Sequence, residues 1–184
     1  SDHVWVIDPL DGTTNFIHGF PVYCVSIALQ VRGRMEQAVI YDPSRNDLFT
    51  ATRGRGAFLN DRRIRVSKRV RMADCLIATG LPFIGKTGHA QAIKDIHAVG
   101  QRVAGIRRLG AASLDLAYVA AGRFDAYYER NLQPWDVAAG LLLVSEAGGV
   151  VTSIEADGDP ANGKTILASA SEVHGALRKV LQST

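Results

Sequence analysis

Two carboxylates lie three residues apart near the start of the chain, in the stretch WVIDPLDGTTN at residues 5–15. Asp8 and Asp11 are separated by Pro9, whose fixed φ lets the chain turn so that the two acids converge. Carboxylates held close together repel each other unless a cation lies between them. The spacing therefore predicts a divalent metal with oxygen ligands, Mg²⁺ or alternatively Mn²⁺, to which the Leu10 carbonyl can add a ligand.

Small residues follow directly behind these acids, as Gly12, Thr13 and Thr14. They predict the start of a short helix or nest whose free N–H groups point at an anion. A metal beside such N–H groups would hold a phosphate. Asp-Pro-x-Asp-Gly is also a good turn sequence, so a plain turn is the alternative.

Two later stretches contain groups of the same kind. Asp136 follows Pro134 in the first turn of a predicted helix, from which its carboxylate can reach out of the helix end. An ordinary N-cap is the alternative for this acid. Residues 110–113, GAAS, are small enough for a ligand to approach the backbone, and close packing is their alternative explanation.

The elements that must position these groups change in character along the chain. Turn residues between β-branched and aromatic runs predict an antiparallel meander in the first part. Its strands are predicted at 3–7, 22–31, 35–41 and 47–52, followed by a hairpin of 57–59 and 62–66. Helical periodicity predicts helices at 89–103, 111–121, 135–147 and 172–181, with strands at 76–79, 124–128, 150–153 and 165–169. We expect a β-rich lobe at 1–75 and an α/β lobe at 76–184, together an α/β layered sandwich.

Composition excludes several classes of protein. The 184 residues are 47% hydrophobic and 21% charged, and no apolar run is long enough to cross a membrane. Two cysteines without metal-ligand spacing favour a reducing cytoplasm. A dinucleotide-binding protein is disfavoured, because carboxylates follow the first strand where such a protein needs a glycine-rich turn. An enzyme with a serine or cysteine nucleophile and a histidine base is disfavoured too, because the five histidines are scattered without a local signature.

The chain resembles the inositol monophosphatase family, and within it the bacterial branch that includes the extragenic suppressor proteins. DPLDGTTNF at 8–16 is similar to the first family signature, and WDVAAG at 135–140 with EAGG at 146–149 is similar to the second. The resemblance covers nearly the whole chain. It implies an α-β-α-β-α sugar-phosphatase-type sandwich, Mg²⁺-dependent hydrolysis of small phosphomonoesters by a metal-activated water, and a homodimer.

The same resemblance implies roles for individual residues. Asp8, Asp11 and Asp136 would be metal ligands through their carboxylates, and Leu10 through its carbonyl. The other assignments concern the substrate. Gly12 and Thr13 would hold the phosphate, with the Thr13 hydroxyl near the attacking water. Glu129 would accept hydrogen bonds from substrate hydroxyls, and the pocket would be lined by Gly110, Ala111 and Ala112. Inositol 1-phosphate is the first substrate to expect, and an exposed strand-end acid is the alternative for Glu129.

The family also places a segment before the first signature, with another glutamate ligand and a loop that positions water. Only seven residues precede Asp8 here, so we expect an N-terminally incomplete fold. Either these residues are a fragment or they are the recorded part of a longer chain. We expect this chain to bind Mg²⁺ weakly and to turn over slowly.

A regulatory protein is the competing hypothesis. Residues 53–71 carry eight basic side chains and one acid, Asp61, within a formal net charge of +3 for the whole chain. Such a stretch could contact RNA or the transcription machinery. Because Arg63 and Arg65 alternate with Ile64 and Val66, a solvated strand face beside a core face is the simpler interpretation.

Overall fold

The first half of the chain forms one six-stranded antiparallel sheet in a computed structural model, which describes residues 2–184. Its strands are β1 (His3–Asp11), β2 (Cys24–Val31), β3 (Arg34–Asp42), β4 (Asp47–Thr52), β5 (Gly56–Leu59) and β6 (Arg62–Ile64). They pair in chain order, which confirms the predicted meander. A five-residue helix, α1 (Thr13–Ile17), interrupts the sheet directly after β1.

The second half forms a mixed five-stranded sheet with four longer helices. Its strands are β7 (Leu76–Thr79), β8 (Gly105–Arg107), β9 (Ala126–Arg130), β10 (Val150–Thr152) and β11 (Thr165–Ser169), in the order β10-β11-β9-β7-β8. The helices are α2 (His89–Gly100), α3 (Ala112–Ala120), α4 (Pro134–Glu146) and α5 (Ser171–Gln182). Strand β7 runs parallel to both β8 and β9. The sequence pattern missed β8, because three residues are too few to show periodicity.

The helices and sheets alternate in layers. Helices α3 and α4 lie between the two sheets, and α2 and α5 pack together on the other side of the second sheet. One hydrophobic cluster contains residues of both sheets, among them Phe49 of β4 and Ile166 of β11. This arrangement confirms the α/β layered sandwich, whereas the division into lobes at residue 75 stays a prediction.

Strand β1 is longer than the strand predicted at 3–7, which ended before Asp8. It lies at the edge of its sheet and continues to Asp11. Val4, Trp5 and Ile7 are exposed, and only Val6 packs against the core cluster. Hydrophobicity alone identified the strand correctly but could not show that one of its faces has no packing partner.

Several predicted boundaries were also wrong by a few residues. The second helix of the fold, α2, ends at Gly100 and not at 103, because the chain turns there with a hydrogen bond from Arg102 N–H to the Val99 carbonyl (2.9 Å). Val103 still packs against the second core cluster, which explains its helical spacing. The last strand of the basic hairpin stops at Ile64. Within residues 2–184, no helix is long and apolar enough to cross a membrane.

Candidate active site

Three carboxylates from distant parts of the sequence meet at one place. Asp8, Asp11 and Asp136 each offer an oxygen, and these oxygens lie within 4.8 Å of one another. Asp8 and Asp11 come from the end of β1, and Asp136 comes from the first turn of α4. The structure thus brings together the three acids that were predicted as metal ligands.

A bulge in β1 explains why Asp8 and Asp11 point to the same place. Asp8 pairs with Ser26 and Asp11 pairs with Cys24, so two residues of β1 stand opposite one residue of β2. In a regular strand, residues three apart face opposite sides of the sheet. The extra residue of the bulge removes this opposition. The predicted convergence is therefore correct, although the chain stays in the strand instead of leaving it.

Asp11 is the most buried member of the cluster. Its Oδ2 accepts a hydrogen bond from the Ser113 backbone N–H (2.7 Å), and the Cys24 thiol lies 3.8 Å away from the same oxygen. Burial raises the pKa of Asp11 to about 7, and repulsion from Asp136 and Asp8 adds to the effect of burial, whereas the Ser113 hydrogen bond opposes it. The ionised form of Asp11 is consequently short of compensating positive charge.

Asp136 lies inside a helix cap instead of at the N-cap itself. Gln133 is the N-cap residue of α4, and Asp136, three residues later, accepts a hydrogen bond from the Gln133 backbone N–H (2.8 Å) in a capping box. Burial raises the pKa of Asp136 to about 6, and the nearby charge of Asp8 contributes. The N-cap alternative is therefore wrong in position, and the acid serves both the helix end and the cluster.

Gly12 forms the corner between β1 and α1. Its φ is +85°, in the left-handed region, and a Cβ there would lie 2.7 Å from the Val22 carbonyl oxygen and 3.3 Å from the Ala111 Cβ. Only glycine fits both conditions. The following Thr13 begins α1, where the first N–H groups have no acceptor within the helix. Its hydroxyl donates to the Leu10 carbonyl (2.9 Å).

Two adjoining cavities contain the remaining predicted residues. The larger, of about 320 Å³, is lined by the three acids together with Leu10, Gly12, Thr13 and Gly110. The smaller, of about 60 Å³, shares Asp11, Gly110 and Asp136 with it and adds Ala111, Ala112 and Glu129. Every residue predicted for the site thus lies at one of these two cavities.

Glu129 is held against the smaller cavity by close packing. Its carboxylate fills the space that a Cβ on Gly80 would need, and its Oε2 accepts a hydrogen bond from the Tyr127 hydroxyl. Burial, assisted by the charge of Asp11, raises the pKa of Glu129 to about 7. The alternative of an ordinary exposed acid does not fit these surroundings. A second acid, Asp115, is fully buried behind the site, and burial raises its pKa well above the usual range.

Sequence reasoning missed several residues of these cavities. Phe83 and Arg108 line both of them, and Asn15 and Trp135 line the larger one. Asn15 also ties the two halves of the chain together, since its side-chain amide donates to the carbonyls of Val22 and Leu109 (2.8 Å each). Arg108 lies two residues before Gly110, and this closeness was the available signal. No pattern pointed to Phe83.

The acid cluster is chemically suited to a divalent cation. Among residues 2–184, no lysine or arginine forms an ion pair with Asp8, Asp11 or Asp136, whereas the buried Asp95 and Asp125 each pair with an arginine. Buried carboxylates without a positive partner are costly. Hard oxygen ligands of this kind suit Mg²⁺, Mn²⁺ or Ca²⁺ better than softer metals.

Comparison with known proteins gives one consistent result. Residues 1–184 match the model of the "Inositol monophosphatase family". The chain is 53% identical over 184 residues to "Inositol-1-monophosphatase" of Caulobacter vibrioides, covering 98% of this chain and 72% of that protein. It is 57% identical over 157 residues to "Nus factor SuhB" of Pseudomonas aeruginosa, covering 83% of this chain and 57% of that protein. The structure of extragenic suppressor protein suhB from Bartonella henselae is similar with a TM-score of 0.95 and 52% identity, covering 99% of this chain and 70% of that one.

Proposed function

Because the chain belongs to the inositol monophosphatase family, and is accordingly a phosphomonoester hydrolase, we propose that it hydrolyses a small phosphorylated polyol with the help of Mg²⁺. Inositol 1-phosphate is the first candidate substrate. The observation that carries this proposal is the cluster of Asp8, Asp11 and Asp136, whose oxygens converge within 4.8 Å at the wall of a cavity. Mn²⁺ is the alternative ion.

The three acids, with the Leu10 carbonyl, would hold the cation. When bound, divalent cations offset the charge of a phosphate and lower the pKa of water enough to make it a nucleophile at neutral pH. Leu10 is compatible with this role because its carbonyl, which accepts the Thr13 hydroxyl, retains a second lone pair. The acids themselves do not need to form a covalent bond to phosphorus.

The residues around the acids would bind and orient the ester. Gly12 and Thr13 line the larger cavity. Their backbone N–H groups, at the start of α1, would donate to phosphate oxygens there. The Thr13 hydroxyl already donates to Leu10, so its oxygen is free to accept a hydrogen bond from the attacking water. Gly110, Ala111 and Ala112 would leave room for the polyol.

Glu129 would recognise the hydroxyl groups of the polyol. It lies at the smaller cavity, and one of its oxygens, Oε2, is engaged by Tyr127. A carboxylate accepts several hydrogen bonds, which leaves capacity for substrate hydroxyls. Exchange of Glu129 for Gln would then raise KM for inositol 1-phosphate more than for a phosphate ester with few hydroxyls.

A phosphate-release assay with Mg²⁺ tests the proposal. Asp11→Asn should reduce kcat on inositol 1-phosphate by at least about a hundredfold, as expected when a catalytic metal is lost. Asp157→Asn, in an exposed loop distant in sequence from the cluster, is the matched control and should leave kcat unchanged. Equal activity of both variants would show that the acid cluster is not the catalytic centre. The slow turnover expected of residues 1–184 stays a prediction, which an N-terminally extended version would test.

A contact with the transcription machinery is the second candidate function. It is favoured by the name "Nus factor SuhB" of relatives and by exposed arginines at the β6 edge of the first sheet, where Ile64 packs inward and Arg62 and Arg63 face solvent. Charge reversal of Arg63 and Arg65 should abolish such binding and preserve hydrolysis. Asp11→Asn should do the opposite. A homodimer belongs to the same proposal and is tested by light scattering.

A further inference from the structure

The loop between β10 and β11 contains an asparagine directly before a glycine, at Asn162. The chain has four other asparagines, and they precede Phe16, Asp47, Asp61 and Leu132. Glycine has no Cβ, so nothing on its own side chain hinders its backbone nitrogen. The backbone nitrogen of the following residue is the group that attacks an asparagine side chain when the amide is lost as ammonia. Asn162 is therefore the asparagine with the least hindered neighbouring nucleophile.

The Asn162 side chain is exposed and folds back along the backbone that follows it. Asn162 ends a single 3₁₀ turn, Pro160–Asn162, and its Oδ1 accepts a hydrogen bond from the Lys164 backbone N–H (2.8 Å). Because this bond reaches two residues ahead, the side-chain amide lies along the Gly163 peptide. Attack on the amide carbon would place negative charge on Oδ1, and the Lys164 N–H is already positioned to stabilise that charge.

The attacking nitrogen belongs to a turn with long hydrogen bonds. The Gly163 N–H donates to the Pro160 carbonyl at 3.2 Å, and the Asn162 N–H donates to the Asp159 carbonyl at 3.3 Å. Hydrogen bonds of a 3₁₀ turn have poorer geometry than those of an α-helix. Short surface turns of this kind open locally at a low cost in free energy. Opening of the turn frees the Gly163 nitrogen for attack.

Gly163 is also the point at which this loop contacts the start of α4. It is buried at a φ of +75°, and a Cβ there would lie 2.7 Å from the Gln133 carbonyl carbon and 2.8 Å from the Leu132 carbonyl oxygen. Its carbonyl accepts a hydrogen bond from the Leu132 N–H (2.9 Å). Gln133 is the N-cap of α4, and its N–H donates to Asp136. The backbone at Gly163 thus contacts the cap that holds one of the three acids.

We propose that Asn162 deamidates spontaneously, and that the isoaspartate formed there displaces the Gln133 cap of α4 and with it Asp136. The Gly163 nitrogen gives its proton to hydroxide and bonds to the side-chain carbon of Asn162, while the side-chain nitrogen takes a proton from water and leaves as ammonia. Water then opens the cyclic imide at either of its carbonyls. One product is aspartate. The other is isoaspartate, whose main chain is longer by one methylene group.

The added methylene group connects this reaction to the acid cluster. Gly163 has no free space on the side that faces Leu132 and Gln133, so a longer main chain before it must move one of these neighbours. The 3₁₀ turn itself also packs against α4. Aspartate at position 162 leaves the main chain unchanged, and its carboxylate can still accept the Lys164 N–H. We therefore expect isoaspartate, and not aspartate, to disturb α4.

Peptide mapping by mass spectrometry tests the first half of this proposal. The protein is kept at pH 8 and 37 °C, and the mass increase that accompanies exchange of an amide for a carboxyl group is followed for each asparagine. Asn162 should deamidate at least about tenfold faster than the exposed Asn60, because only glycine leaves the attacking nitrogen unhindered. Asn162→Gln should remove the fast reaction, since its longer side chain would have to close a larger ring. Equal rates at Asn162 and Asn60 would overturn the proposal.

Thermal denaturation tests the second half, after chromatography has separated the isoaspartate form from the incubated protein. Asn162→Asp is the matched control, because it carries the new charge on an ordinary backbone. The isoaspartate form should have a Tm about 2–4 °C below that of Asn162→Asp, and a smaller Tm shift on addition of Mg²⁺. Equal Tm values would overturn the proposed displacement of α4.

The Tm of fresh Asn162→Asp separates the effect of charge from that of backbone length. It should equal the Tm of the unmodified protein. If fresh Asn162→Asp is destabilised as much as the isoaspartate form, the charge is responsible and the proposed backbone displacement is wrong. Peptide mass and Tm do not depend on catalysis, so these results decide the proposal whether or not the chain hydrolyses inositol 1-phosphate.

Discussion

Asp11 accepts a hydrogen bond from the backbone N–H of Ser113, 102 residues away in the sequence, at 2.7 Å. This bond joins the end of β1 to the first turn of α3, and it is one of few groups that favour the charged form of Asp11. Ser113 also donates through its hydroxyl to the Asp136 carbonyl (3.0 Å). A single residue of α3 thus contacts both of the sequence signatures that supply the acids.

Removal of the Asp11 charge should stabilise the protein when no divalent cation is present. The pKa of Asp11 rises from 3.8 to about 7 on folding, so the unfolded chain loses its proton first and stability falls as pH rises from about 4 to about 7. Asn retains an oxygen for the Ser113 N–H. We expect Asp11→Asn to raise the free energy of unfolding by roughly 1–3 kcal/mol at pH 8 in EDTA, measured by urea denaturation.

Asp42→Asn provides the contrast for this measurement. Asp42 is buried like Asp11, but it accepts hydrogen bonds from the Ser44 backbone N–H (2.9 Å) and from the Arg45 guanidinium (3.0 Å). Its exchange should therefore lower the free energy of unfolding. If Asp11→Asn also lowers it, the three acids are not in electrostatic conflict.

The identities of the acids could be predicted from the sequence, but most of their surroundings could not. Asp8, Asp11 and Asp136 are marked by proline, glycine and tryptophan at fixed spacing, which short-range patterns detect. The Ser113 hydrogen bond to Asp11 depends on tertiary contact across 102 residues, which leaves no local pattern. The position of Phe83 likewise depends on the conformation of the loop between β7 and α2, which tertiary contacts determine.

Local sequence patterns also predicted the strands and helices better than their tertiary surroundings. A continuous apolar run in β1 predicted a strand, yet Trp5 and Ile7 on one face of it are exposed. Which faces of a strand are covered depends on the rest of the fold. The bulge between Asp8 and Asp11 has no separate signature beyond Pro9. Long helices such as α4 were predicted to within one residue because proline and glycine mark both of their ends.

Added Mg²⁺ should stabilise the chain more at pH 8 than at pH 5. A ligand that binds only the folded state raises stability with its concentration. Burial and mutual repulsion hold the pKa of Asp11 at about 7 and that of Asp136 at about 6, so protons occupy both acids at pH 5 and compete with the cation. Thermal denaturation over a MgCl₂ series measures the shift in Tm. Equal shifts at both pH values would mean that the cation binds elsewhere.

Gly12→Ala should disrupt the corner that leads from the acids to α1. The new Cβ would lie 2.7 Å from the Val22 carbonyl oxygen, at a φ of +85°. Strain and overpacking together should cost roughly 2–4 kcal/mol of stability and lower kcat/KM. Gly19→Ala is the control, since its φ is +67° but nothing lies within 4 Å of its Cβ position. Its cost should be only about 1 kcal/mol. Similar losses in the two variants would contradict the importance of the close contact.

Gly140→Ala should push α4 away from α3 and so displace Asp136, which lies one helical turn earlier. A Cβ on Gly140 would lie 2.3 Å from Leu116 Cδ1 and 2.5 Å from Leu116 Cβ. Overpacking of this kind costs about 1–3 kcal/mol, even though alanine favours a helix more than glycine does. We expect a lower free energy of unfolding together with a smaller Tm shift on addition of Mg²⁺.

Gly175→Ala in α5 is the matched control for this helix substitution, because its Cβ would meet nothing within 4 Å. There the helix preference acts alone, and stability should rise by about 0.5–1 kcal/mol. The two exchanges are chemically identical and should differ in sign. If both exchanges stabilise the protein, the interface between α3 and α4 accommodates an added methyl group. The position of Asp136 then does not depend on the contact between Gly140 and Leu116.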